Sequence, residues 1–380
     1  MIVLQVIPEL DAGGAERTTV DIARAIVAAG GTALVASAGG RLEPELAATG
    51  AEMIRLPLAS KNPLTLWANA AALARIIRER NVAIVHARSR APAWSALLAA
   101  RRTGVRFVTT YHGIYNARSA FKRWYNGVMA QGDAVIANSA FTARHLVAVH
   151  GTDPARVTVI PRGTDLARFD PAAVPPERVA AMRASWGLTG GAPVILLPGR
   201  LTRWKGQAVA ITALAGVPGA VLVLAGDAQG REGYVAELDA LAQRLGLGGR
   251  VVRPGHVADM PAALAAADVV VSASTEPEAF GRVAVEAQAM ARPVVATAIG
   301  ATEETVRDGV TGHLVPPGDA EALAATLREL LARDPVALAA MGAAGRAHVL
   351  ARFTVAAMAS ATLGVYQRLL AARPVAALDP

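Results

Sequence analysis

The chain has no cysteine, which excludes disulfides and thiolate metal sites and fits a reducing compartment. No Asp-x-Asp pair occurs, so the usual carboxylate grip on Mg²⁺ is missing. Lysine is scarce: Lys61, Lys122 and Lys205 are the only three. The run MIVLQVIPEL lacks a basic leading region and reads as a first strand, not a signal peptide. The stretch QAVAITALAGVPGAVLVLAG is nearly long enough to span a bilayer, but VPG splits it into a helix and a β-branched strand, so no transmembrane segment is expected.

What is present suits two packed domains. The 380 residues are 53% apolar, too long for one ordinary core. Charge is shared unevenly: residues 1–190 hold 22 Lys+Arg against 13 Asp+Glu, and residues 191–380 hold 16 against 17. A basic front half implies an anionic partner there. Apolar strands alternate with Ala-rich helical stretches in both halves. MIVLQVI, TALVAS, VAIVHA, RFVTTYHG, DAVIANS and VTVIPRG mark the first, and PVILLPGR, AVLVLAGD, RVVRPGH, DVVVSAS and RPVVATA the second. Strands apolar throughout, with helices between them, indicate parallel sheets covered on both faces. The expected class is therefore α/β, with two Rossmann-like doubly wound domains facing across a cleft. Domain one is read as 1–168, a Pro- and Gly-rich linker as 169–190, and domain two as 191–358. A terminal helix at about 359–374 carries Val365 and Leu369 on one face. Ligands in such sheets bind beyond the carboxyl ends of the strands, so the chemistry is sought there.

TEPEAFGRVAVEAQAM, residues 275–290, places a loop and then a helix after the buried strand DVVVSAS. Open amides at that helix start make an anion site, with Gly281 permitting close approach and Arg282 in the first turn. A diphosphate there would leave Glu278 before it and Glu286 about one and a half turns into the helix, each able to accept from hydroxyls flanking the phosphates. In LLPGRLTRWKGQ, Arg200 and Lys205 follow a strand end five residues apart; two cations can neutralise a pyrophosphate without a metal. In PELDAGGAERTTVD, Gly13 and Gly14 allow a tight strand-to-helix turn, and Glu16 and Arg17 open the helix. The turn is not G-x-G-x-x-G, so a nicotinamide enzyme loses support. His112, after a strand and before a glycine, is placed to bond a sugar hydroxyl or steer charge at a reacting carbon. His86 is held in reserve, while His145, His150 and His348 read as helix-face residues. For any one of these residues, an ordinary cap or solvated surface role competes with function.

Together these features resemble glycosyltransferase family 4, the retaining enzymes of GT-B fold. The resemblance spans almost the whole chain: GGAER after the first strand, HG at 112–113, ANS at 137–139, VIPRGTD, GR with Lys205, AGD at 225–227, EAFGRVAVEA and TGHLVPPGD. It implies that Arg200 and Lys205 hold a donor diphosphate and Glu278 the donor hexose. The backbone from Phe280 to Arg282 would hold the phosphate side and Glu286 the ribose hydroxyls. His112 would lie beside the transferred sugar, Gly14 would line the phosphate or acceptor side, and the loop at His256 and Val257 would flank the base. Gly13, Glu16, Arg17 and Arg162 fall on the acceptor side. The implied chemistry is metal-independent transfer with retention, with no cofactor beyond the nucleotide-sugar, UDP- or GDP-linked. Three positions depart from the pattern: Arg162 stands where Asn is usual, and Ala291 and Ala301 where Gly is usual. A left-handed conformation at Ala291 would cost about 1 kcal/mol.

In such enzymes the first domain takes the acceptor, and here it is the basic one. ARSAFKRWYNGVM places Phe121, Trp124, Tyr125 and Val128 on one helical face beside Arg118, Lys122 and Arg123. That pattern fits a surface helix on anionic lipid and equally a core helix with solvated cations. The expectation is a cytoplasmic enzyme visiting the inner membrane face, with a glycan, lipid-linked or lipopolysaccharide acceptor. The competing readings are a catalytically silent nucleotide-sugar-binding protein and a GT-B epimerase or phosphorylase. Nucleic acid is not an expected partner, since the positive charge is dispersed and no recognised module appears.

Overall fold

A computed structural model describes residues 1–11, 13–115, 119–188 and 190–372. The chain divides into two units, residues 1–163 with 355–380, and residues 164–354. The first is built on seven parallel strands: β1 (Ile2–Val6), β2 (Thr32–Ser37), β3 (Glu52–Arg55), β4 (Ile84–Ala87), β5 (Arg106–Tyr111), β6 (Ala134–Ala137) and β7 (Val157–Val159). Their order is β3-β2-β1-β4-β5-β6-β7. The second has six: β8 (Val194–Pro198), β9 (Val221–Ala225), β10 (Val251–Gly255), β11 (Val269–Ser272), β12 (Val294–Thr297) and β13 (His313–Val315), in the order β10-β9-β8-β11-β12-β13. In each unit the order reverses beside the first strand, as in a doubly wound fold.

Every strand named from the sequence is a strand here, and central ones such as β1, β8 and β11 are buried on both faces. The sequence reading lacked β3 and β13. Both lie at sheet edges, and β3 is partly exposed throughout, so neither shows the uninterrupted apolar run of a central strand.

The stretch 169–190, expected as a linker, belongs to the second unit. Phe169, Val174 and Trp186 are buried in its core, and the helix Pro176–Ser185 lies on the helix Met260–Ala266. Arg178 grips Asp259 through two hydrogen bonds of 2.6 Å, and Arg183 donates to Ala266 O at 3.1 Å. Pro and Gly content suggested a tether; two large aromatic side chains needing burial decide otherwise. Thr189 lies outside the described residues.

The chain re-enters the first unit at Val355, earlier than 359, and the helix Val355–Ala371 packs Met358, Ala359, Val365 and Tyr366 into that core. Its expected end at 374 lies outside the described residues. Tyr366 Oη meets His86 Nδ1 at 2.6 Å, and His86 Nε2 meets Thr110 Oγ1 at 2.6 Å. Among the described residues no helix is long and apolar enough to cross a membrane.

Ala291 adopts φ +53° after the helix Arg282–Ala289. Ala291 N–H donates to Gln288 O and Arg292 N–H to Ala287 O, both at 2.9 Å, the paired bonds of a Schellman end that favours glycine at the turn. Ala301, at φ −87°, is under no such demand. Ala291→Gly should therefore raise stability by up to about 1 kcal/mol, read as a higher urea midpoint, whereas Ala301→Gly should not. An unchanged midpoint for Ala291→Gly would contradict the strain.

Candidate active site

In the C-terminal unit, the chain after β8 and the chain after β11 are stitched together by their backbones. Gly206 sits at φ +72°, and a Cβ there would stand 1.8 Å from Ala273 O. Only glycine lets these two segments approach so closely. Thr275 N–H adds a bond to Trp204 O at 2.7 Å. The result sets the Lys205 ammonium against the Glu278 carboxylate in an ion pair whose side chains are only 15% and 13% exposed. Ser274 Oγ donates to the same Glu278 oxygen at 2.6 Å, while Ser274 O accepts from Thr297 Oγ1 at 2.7 Å. Glu278 O accepts from Ala301 N–H at 2.8 Å, which fixes the loop from its other side.

Gly281, at φ +80°, caps the helix Arg282–Ala289; Ala284 N–H donates to Gly281 O at 3.1 Å, and the amides of Arg282 and Val283 have no acceptor within the helix. Arg282 reaches Glu286 through Nη2 at 2.6 Å and Nε at 3.2 Å, and this carboxylate raises the guanidinium pKa. A second cation–carboxylate pair therefore stands on the other side of Gly281. Phe280 turns its ring into the core, 5.8 Å from the Phe353 ring, and leaves only its main chain for a ligand. Arg200 is exposed, and among the described residues its side chain has no hydrogen-bond or ion-pair partner. Val257 packs partly into the core, while the exposed His256 stands 3.7 Å from Asp227.

An anion with more than one charge suits this set. Bound at the open amides, it would compete with Glu278 for the Lys205 ammonium. A released Glu278, still held by Ser274, becomes an acceptor for hydroxyl groups.

In the N-terminal unit three motifs converge on one carbonyl. His112 O, just past β5, accepts from Asn138 Nδ2 and from Arg162 Nη2, each at 3.2 Å. Both ring nitrogens of His112 are sealed from solvent and have no hydrogen-bond partner among the described residues. Burial, then the charges of Arg162 and Arg88, hold its pKa well below the usual imidazole range. The ring is thus neutral, with an unmet capacity to donate and to accept. His86, the reserve histidine, is fully buried with both nitrogens occupied by Tyr366 and Thr110, so its role is structural. Gly13 precedes the helix Gly14–Ala28 at φ −76°, and the Glu16 carboxylate folds back over it. Arg17 pairs with Glu45, which leaves its charge compensated.

Three residues escaped the sequence reading. Ser274 is a serine after a buried strand and Asn138 sits inside a turn motif; neither position signals its partner. Arg88 had a visible cue, since it follows directly on β4. It is 2% exposed and donates to Gln5 Oε1 from Nε at 3.0 Å and Nη2 at 2.6 Å.

The family model described as Glycosyltransferase Family 4 matches residues 12–168, and that of Glycosyl transferases group 1 matches residues 179–348. The chain belongs to glycosyltransferase family 4. A glycosyltransferase from Rickettsia africae superposes with a TM-score of 0.90 at 35% identity, covering 98% of this chain and 99% of that one. HepE from Anabaena, solved with UDP and glucose, superposes at 0.84 with 27% identity, over 97% and 100% of the two chains. A D-inositol 3-phosphate glycosyltransferase of Xylanimonas cellulosilytica is 40% identical over 65% of this chain and 60% of its own. One from Mycolicibacterium gilvum is 38% identical over 55% and 46%. The chain thus spans about half to three fifths of the length of these curated relatives. The two doubly wound units are those of a GT-B glycosyltransferase.

Burial also depresses the pKa of His86, so this family 4 chain carries two histidines that stay neutral when folded. Below about pH 6.5 the unfolded chain binds protons that the native state refuses, so stability falls as the pH drops. Urea unfolding should lose about 3 kcal/mol between pH 7.5 and 5.5 from these two groups together. A profile that is flat or rises towards acid would contradict their burial in the neutral form.

Proposed function

We propose that the chain is a retaining, metal-independent hexosyltransferase that uses a UDP- or GDP-linked sugar. Arg200, Lys205 and the amides from Phe280 to Arg282 hold the diphosphate, Glu278 the hexose hydroxyls and Glu286 the ribose. Val257 and its neighbour His256 flank the base. His112 serves the transferred sugar as a neutral hydrogen-bonding group. Gly13, Gly14, Glu16, Arg17 and Arg162 remain assigned to the phosphate and acceptor side. The observation that carries this reading is the Lys205–Glu278–Ser274 cluster beside the Gly281 helix start, which sets cation, carboxylate and open amides side by side.

The bond from the anomeric carbon to the phosphate oxygen breaks as the acceptor oxygen attacks from the same face. The nucleoside diphosphate leaves with the electron pair, and one of its phosphate oxygens takes the acceptor proton. The transition state carries positive charge on the sugar ring and growing negative charge on the phosphate, so fixed cations and amides lower the barrier more than they tighten ground-state binding. Among the described residues no three His, Asp or Glu side chains gather to hold a metal ion. The cationic contacts supply charge neutralisation directly. The acceptor is lipid-linked, a lipopolysaccharide or a polysaccharide, met at the inner face of the cytoplasmic membrane; the basic first half supports an anionic acceptor or surface.

Glu278→Gln keeps the shape and removes the charge. It should lower the rate of nucleotide release from the donor by about 100-fold or more, in a coupled nucleotide assay run with an excess of chelator, while the protein stays folded with a melting temperature lowered by the loss of the partner of Lys205. Retained turnover would remove Glu278 from the site, and loss of wild-type activity under chelator would contradict metal independence. Glu286→Ala should raise the donor KM about tenfold with kcat little changed; an unaltered KM would exclude the ribose role. Product NMR should give the anomer of the donor, and the opposite anomer would sink retention.

A further inference from the structure

The helix Ala120–Gly127 resolves the two readings of its apolar face. Val128 is buried and Tyr125 half-buried, but Phe121 and Trp124 are 70% and 60% exposed. Arg118, counted with this helix from the sequence, lies outside the described residues. Trp67 and Leu64, in the first turns of the helix Pro63–Glu79, are 62% and 81% exposed. Both helices flank the start of a third, Arg90–Thr103: Trp94 stacks on Trp124 at 4.6 Å, and the adjacent Ser95 donates to Leu66 O at 2.9 Å. The outer two helices therefore pack against different faces of the middle one, and Arg102 of that helix lies over the Trp67 ring, 5.4 Å from its centroid. The four exposed apolar side chains stand on these two outer helices, and among the described residues they include the three most exposed aromatics.

Charge singles out the same segment. Residues 56–132 hold twelve Lys+Arg against a single acid, Glu79. Two of the chain's three lysines, Lys61 and Lys122, are exposed here, as is Arg123. A cavity of about 610 Å³ opens beside Trp124, with Arg123, Gln131, His150 and Arg156 in its wall and Asp153 as its one acid. A water-facing protein surface has no use for two tryptophans and a phenylalanine amid uncompensated cations. A bilayer interface does: the rings enter the boundary between headgroups and chains while the cations meet anionic phosphates.

We infer that Leu64, Trp67, Phe121 and Trp124, with Lys61, Lys122 and Arg123, dock the N-terminal unit on an anionic lipid bilayer. The inference rests on the membrane-side placement of the acceptor in the proposed function and names the surface that achieves it. The cavity beside Trp124 gives a phosphorylated headgroup a place to enter.

Flotation of the full chain with vesicles of phosphatidylcholine alone, or with phosphatidylglycerol added, tests it in the absence of donor and acceptor. The chain should float with the anionic vesicles and not with the neutral ones, and less so as salt is raised. Lys122→Glu with Arg123→Glu should weaken the partition about tenfold or more. Phe121→Ser with Leu64→Ser, both highly exposed positions that leave the Trp94–Trp124 contact in place, should weaken it with little change in the melting temperature. UDP binding, followed by thermal shift, should be the same in all these variants. Absence of flotation, equal flotation on neutral vesicles, or variants that float like wild type would each overturn the docking surface while leaving the donor site standing. Wild-type protein that floats as expected but fails to bind UDP or GDP would instead remove the donor reading and uphold this one.

Discussion

An ammonium and a carboxylate, largely shielded from water and held together, are the constraint on which the C-terminal site depends. Neither Lys205 nor Glu278 would be tolerable there alone, because a lone charge with so little solvent keeps its desolvation cost uncompensated. As a pair they are stable, and they are stable only because Gly206 lets two loops touch and Thr275 bonds Trp204. The geometry is therefore written into the backbone before any ligand arrives. A diphosphate offers the ammonium a better partner, and a sugar offers the carboxylate hydroxyl donors. On the proposed reading each group would exchange one partner for another, with Ser274 keeping its bond to Glu278 throughout. The Arg282–Glu286 pair repeats the arrangement on the far side of Gly281, with a more exposed cation.

The N-terminal unit solves a different problem. It keeps two guanidiniums, Arg88 and Arg162, near a histidine without letting that histidine charge. The effect is an electropositive surrounding in which His112 remains a neutral donor and acceptor across the physiological range. His86, only a strand away and buried too, also meets the charge of Arg88 but spends both nitrogens on Tyr366 and Thr110. The two histidines share burial and depressed basicity and differ in hydrogen bonding: His86 has both nitrogens bonded, whereas neither ring nitrogen of His112 has a partner among the described residues.

Much of this was legible in the sequence. Central strands announce themselves because burial on both faces demands uninterrupted apolar residues, and the Gly281 helix start was visible because strand end, glycine and basic first turn fall together. The strain at Ala291 was signalled by the glycine usual at that position in the family the chain resembles, and its φ of +53° bears that out. What was hidden depends on three-dimensional proximity. Nothing in the letters around Ser274 says that its hydroxyl meets Glu278, or that Lys205, seventy-three residues earlier, completes the cluster as a paired ion. The supposed linker misled because proline and glycine describe how a chain turns and not what it packs against; Phe169 and Trp186 were the better guides. The edge strands β3 and β13 were missed because one neighbour and partial exposure relax the pattern that identifies the rest.

The most direct measurement is a crystal structure of the chain with UDP or GDP bound. The account predicts a diphosphate lying across Lys205, Arg200 and the amides at Gly281, with the Lys205–Glu278 contact opened and Glu278 still bonded to Ser274. A nucleotide seated elsewhere, or one that leaves the ammonium and carboxylate joined as they are, would contradict it.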